Sequence, residues 1–107
     1  MKTFIAKHNG KCAISGEDII AGQTNIGFLR NSIVLAEYMD KGAVVAYMNQ
    51  LVDAIISLAE TITDGNPEKI KNDAEQFRGT IETSWMFGSC LTLAPRLRGW
   101  VKNLSEE

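Results

Sequence analysis

The segment TDGNPEK, residues 63–69, constrains the fold more than any other part of the sequence. Gly65 suits the position just past the end of one helix, and Asn66 suits the capping position before the next. Pro67 fits the first helical position because its missing N–H has no partner there. The segment therefore predicts an antiparallel pair of helices that turns at residues 63–67.

Apolar residues before this turn repeat in steps of three and four, which is typical of a helix that packs on a core. The same spacing continues backwards through Tyr38, so the sequence predicts one long helix from near Ser32, bent near Gly42. Asp40 is an alternative start, because aspartate can cap a new helix. The repeating residues are Val44, Met48, Leu51, Ile55, Leu58 and Ile62.

A second helical stripe follows the turn, and its composition changes at residue 84. The segment SWMFGSCLTLA is apolar or small almost all round, which predicts a helix that is buried on every side. Pro95 then starts or kinks a last helical segment. The second stripe consists of Ile70, Ala74, Phe77, Ile81, Trp85, Gly88 and Leu91.

The first part of the chain, up to residue 31, is rich in glycine and has short apolar runs. The runs at residues 2–8 and 18–22 are typical of short strands. The sequence NGK at residues 9–11 predicts a hairpin turn, because Asn and Gly both tolerate positive φ. A second turn is predicted at SGED, residues 15–18.

These patterns together predict an α+β fold that is mostly helical. An N-terminal β-hairpin or meander precedes a bundle of about three helices. The length fits a single domain over residues 1–107. Residues 1–31 would form its strand part and residues 32–104 its helical part.

The charge balance limits the classes of partner. Thirteen acidic and eleven basic residues give a net charge of -2. Nucleic-acid binding depends on many cations that displace counterions, so we expect no nucleic-acid partner. The two cysteines and the absence of an export signal or membrane span favour a reduced, cytoplasmic protein.

The stretch GKCAISGEDIIAG resembles the first knuckle of a zinc ribbon or treble clef, over about a dozen residues. Ser15 stands where such a knuckle carries its second cysteine. A structural zinc site needs four ligands, and His8, Cys12 and Cys90 are the chain's only histidine and cysteines. The resemblance therefore implies no ligand set, and we expect neither a metal nor a cofactor.

Catalytic signatures are missing from the sequence. His8 is the single histidine that could serve as a base, and a predicted turn separates it from Cys12. Asp53 lies within the apolar helix and could be a surface residue, a buried acid or the partner of an arginine. The loop at residues 22–27 could bind an anion through backbone amides, although a strand connection explains it as well. We expect a non-enzymatic protein.

A basic cluster lies near the end of the chain. Arg96, Arg98 and Lys102 surround Trp100, and this combination can bind an acidic partner or another anion. In a helix, Arg98 and Lys102 share a face, while Arg96 points elsewhere. An ordinary solvated helix face would show the same pattern.

The predicted helices carry more apolar surface than a domain of about a hundred residues can bury, because small domains bury only part of their surface. Large exposed apolar patches usually mark interfaces, so the sequence predicts a homo-oligomer. The predicted interface residues are Trp85, Met86, Phe87, Gly88 and Leu91. We expect a small interaction module of the adaptor or inhibitor type, which self-associates and binds an unidentified protein partner. The alternatives are a protein that binds a small anion or nucleotide at a subunit interface, and a nucleic-acid-binding module.

Overall fold

In the part of the chain that the structure describes, five short strands precede four helices. A computed structural model describes residues 2–29, 37–62, 65–87 and 89–106. This order confirms the predicted α+β class. The strands are β1 (Thr3–Phe4), β2 (Gly10–Lys11), β3 (Asp18–Ile19), β4 (Ile26–Leu29) and β5 (Glu37–Asp40). The helices are α1 (Lys41–Ala59), α2 (Pro67–Arg78), α3 (Ile81–Phe87) and α4 (Cys90–Ser105).

The strands form two small antiparallel sheets. The first has the order β1-β4-β5, and β2 pairs with β3 in the second. Phe4 lies opposite Ile26 and Phe28 lies opposite Tyr38. Paired residues of an antiparallel ladder share a face, so these four side chains lie on the same side of the first sheet. Met39 points to the other side and is buried.

The predicted turn at residues 9–11 is wrong, because Gly10–Lys11 forms β2 and pairs with β3. The loop of this hairpin lies further on, between Lys11 and Asp18. Gly16 there has a φ of 75°, and its N–H donates to the carbonyl of Cys12 over 2.9 Å. The predicted turn that begins at Ser15 therefore overlaps the real hairpin loop.

The long helix predicted from near Ser32 is also wrong. Residues 37–40 form β5, and α1 begins at Lys41, so the strand part extends beyond residue 31. Asp40 caps α1, because its side chain accepts a hydrogen bond of 3.0 Å from the N–H of Gly42. The alternative start at Asp40 is the correct one. Residues 32–36 of the predicted helix lie outside the described part.

The predicted antiparallel pair of helices is confirmed. The side chain of Asn66 accepts a hydrogen bond from the N–H of Lys69. Gly65 has a φ of 94°, but its predicted place just past the first helix is wrong, because α1 already ends at Ala59. The start of α2 contacts the end of α1 through the ion pair Lys71–Glu60. The end of α2 contacts the middle of α1 through the ion pair between Arg78 and Asp53. Contacts in this order require the two helices to run in opposite directions.

The second predicted helix divides into three helices. α2 ends at Arg78, and the hydroxyl and the N–H of Thr80 both donate to the carbonyl of Phe77. Such local bonds compete with the helical ladder, and the adjacent Gly79 has little helical preference. Pro95 lies inside α4 rather than at its start, since the helix already begins at Cys90.

The core is one continuous cluster that includes residues from both sheets and all four helices. α1 supplies its central row, formed by Val44, Met48, Val52 and Ile55. The molecule is elongated, with extents of 49 × 24 × 22 Å and a radius of gyration of 15.4 Å. A compact domain of this length has a radius of gyration of about 13 Å. An elongated shape leaves more surface exposed than a compact domain of the same length does.

α1 is long and apolar enough to cross a membrane by length and composition alone. Its exposed row nevertheless carries Gln50, Asp53 and Ser57, and the opposite row is buried in the core. An amphipathic core helix passes the same length and composition test. The arrangement of α1 is that of a central helix in a folded domain.

We predict that Asp40→Ala lowers the free energy of unfolding by about 1 kcal/mol, because α1 loses its cap. Asp40→Asn should lower it less, because asparagine caps a helix about as well as aspartate. Urea unfolding followed by circular dichroism at 222 nm measures both values. Equal losses in the two variants would show that the cap does not stabilise this junction.

Candidate functional site

The cationic side chains of α4 lie on its exposed surface. Arg96, Arg98 and Lys102 are exposed, and none of them forms an ion pair within the described residues. All three belong to one helix, so Arg98 and Lys102 lie one turn apart on the same face. Arg96 points away from that face. The exposed pair can therefore contact a single acidic group on a partner.

Trp100 lies between α4 and α2 rather than among these cations. Its ring is half-buried and meets the ring of Phe77 edge to face, at 5.8 Å between centroids. The two rings line a shallow depression of about 340 Å³ together with Asp73, Gln76 and Thr80. Trp100 therefore packs inward against α2, and an edge of its ring borders this depression.

The predicted oligomer interface divides into buried and exposed residues. Trp85 is 2% exposed and belongs to the core, so it contributes no accessible surface. Met86 is 60% exposed and Phe87 is 79% exposed, although both are large and apolar. We refer to these two residues as the α3–α4 corner. Gly88 and the side chain of Leu91 lie outside the described part of the structure.

Hydrogen bonds stabilise the chain around this corner. The buried hydroxyl of Ser84 donates to the carbonyl of Ile81 over 2.6 Å. The hydroxyl of Ser89 donates to the carbonyl of Ser84 over 3.5 Å, which connects the start of α4 to α3. The buried Trp85 anchors the same helix from inside. Met86 and Phe87 thus project from a supported helix end.

Arg78 joins α1 to α2 and does not belong to the exposed basic cluster. Its guanidinium donates to Asp53 over 2.6 Å, to Glu75 over 3.0 Å and to Asn49 over 3.1 Å. The hydrogen bonds from the guanidinium to Asp53 and then to Glu75 raise the pKa of Arg78 above its ordinary value. Asp53 is an exposed residue and the partner of an arginine, as two of the three expectations for it stated.

The histidine and the two cysteines do not form a site. Cys12 and Cys90 are both buried and form no disulfide with each other, and His8 is exposed. Within the described residues, no group of three or more His, Cys, Asp or Glu side chains is placed to hold a metal ion. The loop that carries Cys12 resembles a knuckle only as a backbone turn, in which the N–H of Cys12 donates to the carbonyl of Glu17.

The loop at residues 22–27 connects two strands. The N–H of Gly22 donates to the carbonyl of Ala6 over 2.8 Å, and the N–H of Gln23 donates to that of Ile20 over 3.0 Å. These two amides are therefore occupied within the chain. An anion at this loop would have to compete with the carbonyls of Ala6 and Ile20 for these two amides.

The structure also contains a groove beside the first sheet that the sequence patterns did not indicate. It has a volume of about 820 Å³, and Phe4, Ile26 and Tyr38 are among the residues that line it. Helical spacing placed Tyr38 in a helix, so its approach to Phe4 could not be anticipated. The groove forms because strands from distant segments pair with one another, and local sequence patterns do not show such pairing. We refer to this feature as the sheet groove.

No protein-family model, curated protein or solved structure matches this chain. Its function therefore has to be inferred from the α3–α4 corner, the cations of α4 and the sheet groove.

We predict that Arg78→Met lowers the free energy of unfolding by about 1 kcal/mol, because a partly exposed ion-pair network is lost. Arg96→Met is the matched control and should change it by less than about 0.5 kcal/mol, since Arg96 forms no ion pair in the described part of the chain. Urea unfolding midpoints measure both changes. Similar losses in the two variants would contradict a stabilising role for the Arg78 network.

Proposed function

We propose that this protein is a non-catalytic interaction module that self-associates through the α3–α4 corner and binds a protein partner. The observation that carries the proposal is the exposure of Met86 and Phe87, two adjacent large apolar side chains. Cys12 and Cys90 are buried and not joined to each other, which supports a cytoplasmic location, where cysteines stay reduced.

Burial of the corner gives a physical reason for association. Covering an exposed side chain such as Phe87 contributes about 1.5–3 kcal/mol. In a symmetric dimer each corner residue is covered twice, once in each subunit, so the contribution doubles. Contiguous apolar patches on protein surfaces usually mark interfaces. The support from Ser84 and Ser89 lowers the cost of ordering the corner on association.

The cations of α4 support an acidic protein partner. Arg98 and Lys102 share a face and have no ion pair within the described residues, so a partner's carboxylate can reach both. Exposed charges of this kind steer a partner and determine specificity more than they add affinity. The adaptor or inhibitor role that follows from such a surface is part of the proposal.

The same cations support the alternative of a small anion or nucleotide bound at a subunit interface. A nucleic-acid-binding module has less support. A protein that contacts a nucleic-acid backbone typically uses about six to ten phosphate contacts. α4 carries three exposed cations, and they do not share one face. Affinity for an oligonucleotide that falls steeply with salt would favour this alternative.

We predict that Phe87→Glu shifts the protein toward the monomer, because a charge at the corner opposes its burial between subunits. Sedimentation equilibrium should show a self-association constant at least about tenfold weaker than that of the unchanged chain. Met86→Glu should have the same effect.

Ile20→Glu is the matched control for these variants. Ile20 is 63% exposed and lies at the strand part, so the same change removes a similar apolar surface elsewhere. Its self-association constant should equal that of the unchanged chain. A monomeric unchanged chain, or equal weakening by Ile20→Glu and Phe87→Glu, would contradict self-association through the corner.

A further inference from the structure

The sheet groove has an apolar floor. Ile26 is buried at its base, and the rings of Phe4 and Tyr38 lie 5.9 Å apart between centroids. Tyr38 is 50% exposed and also meets the ring of Phe28 at 5.0 Å. Three aromatic rings thus form a connected apolar surface, part of which opens toward the groove. Such a surface can contact the apolar body of a ligand.

One wall of the groove is a continuous stretch of backbone, residues 4–11. The N–H of Ala6 donates to the carbonyl of Gln23 over 2.9 Å. The side-chain oxygen of Asn9 accepts a hydrogen bond of 2.8 Å from the N–H of Ala21. These bonds hold the wall in place before any ligand arrives, and a pre-formed site avoids the cost of ordering the chain.

The charged residues that line the groove have one sign. Lys7 and Lys11 belong to its lining, and none of the described lining residues is acidic. Lys11 pairs with Asp18 over 2.8 Å, outside the lining. Lys7 forms no ion pair within the described residues. An anionic group in the groove would therefore find the ammonium group of Lys7 and no carboxylate among the described lining residues.

We propose that the sheet groove binds an organic anion with an apolar body, such as a carboxylate on an aliphatic chain. Its volume of about 820 Å³ lies in the range of small-molecule sites, about 300–1,000 Å³. The apolar body contacts Phe4, Ile26 and Tyr38, and the carboxylate accepts hydrogen bonds from Lys7 and His8. This site uses none of the residues of the proposed self-association, so it goes beyond that function.

Dodecanoate is a suitable probe, and dodecyltrimethylammonium is its charge-reversed control with the same chain length. Both are titrated below their micelle concentrations into the full chain, and backbone amide shifts are followed by NMR. Dodecanoate should give saturable shifts within residues 4–11 and at Ile19 and Ile26. The cationic amphiphile should bind at least about tenfold more weakly, because it meets like charge in the groove.

Lys7→Glu tests the role of charge in the chain itself. The affinity for dodecanoate should fall by about tenfold, and the affinity for dodecyltrimethylammonium should rise. Lys102→Glu is the matched control, since Lys102 also forms no ion pair with any described residue but lies on α4. Its affinity for dodecanoate should stay unchanged. Lys7→Gln, which introduces no new charge, should give an intermediate loss.

Three results would overturn the proposal: no saturable shift in the groove, equal affinity for the two amphiphiles, or dodecanoate shifts centred on Met86 and Phe87. The outcome is separable from that of the proposed self-association. Phe87→Glu should weaken subunit contact and leave the affinity for dodecanoate intact. Lys7→Glu should weaken the affinity for dodecanoate and leave the self-association constant intact.

Discussion

The fold depends on the junction where β5 ends and α1 begins. Asp40 accepts hydrogen bonds there from the N–H of Gly42 and from the side-chain amide of Gln23. The next residue, Lys41, donates its N–H to the carbonyl of Asn25 over 3.0 Å. These bonds join the start of the central helix to the loop before β4. These bonds therefore fix the position of α1 relative to the first sheet.

From this junction, α1 organises the rest of the molecule. Its buried row meets α2, α3 and α4, and Arg78 connects its exposed side to α2. A single central helix can bury only part of the apolar surface of the elements packed around it. A chain of 107 residues has few other elements that could bury the remainder. Large apolar side chains consequently remain exposed at the sheet and at the α3–α4 corner.

The exposed surfaces differ in their chemistry, which is why they support different proposals. The α3–α4 corner is an exposed pair of large apolar side chains, a surface suited to burial against another subunit. The sheet groove is concave, with an apolar floor and cationic lining residues, a shape suited to a small amphipathic anion. Exposed cations on α4 offer a third surface, which suits an acidic protein. One small chain thus has three exposed surfaces, for which we propose separate partners.

The sequence by itself determined the start of α2 at Asn66 and Pro67, the buried positions Val44, Met48 and Ile55 of α1 and the strand-rich start, because each depends on neighbours within a few residues. It also identified Met86 and Phe87 as candidates, although it could not separate them from Trp85, whose burial depends on packing. Only the tertiary structure placed Tyr38 in β5 and created the sheet groove. The physical reason is that Tyr38 pairs with Phe28, ten residues away, and local periodicity carries no information about such a partner.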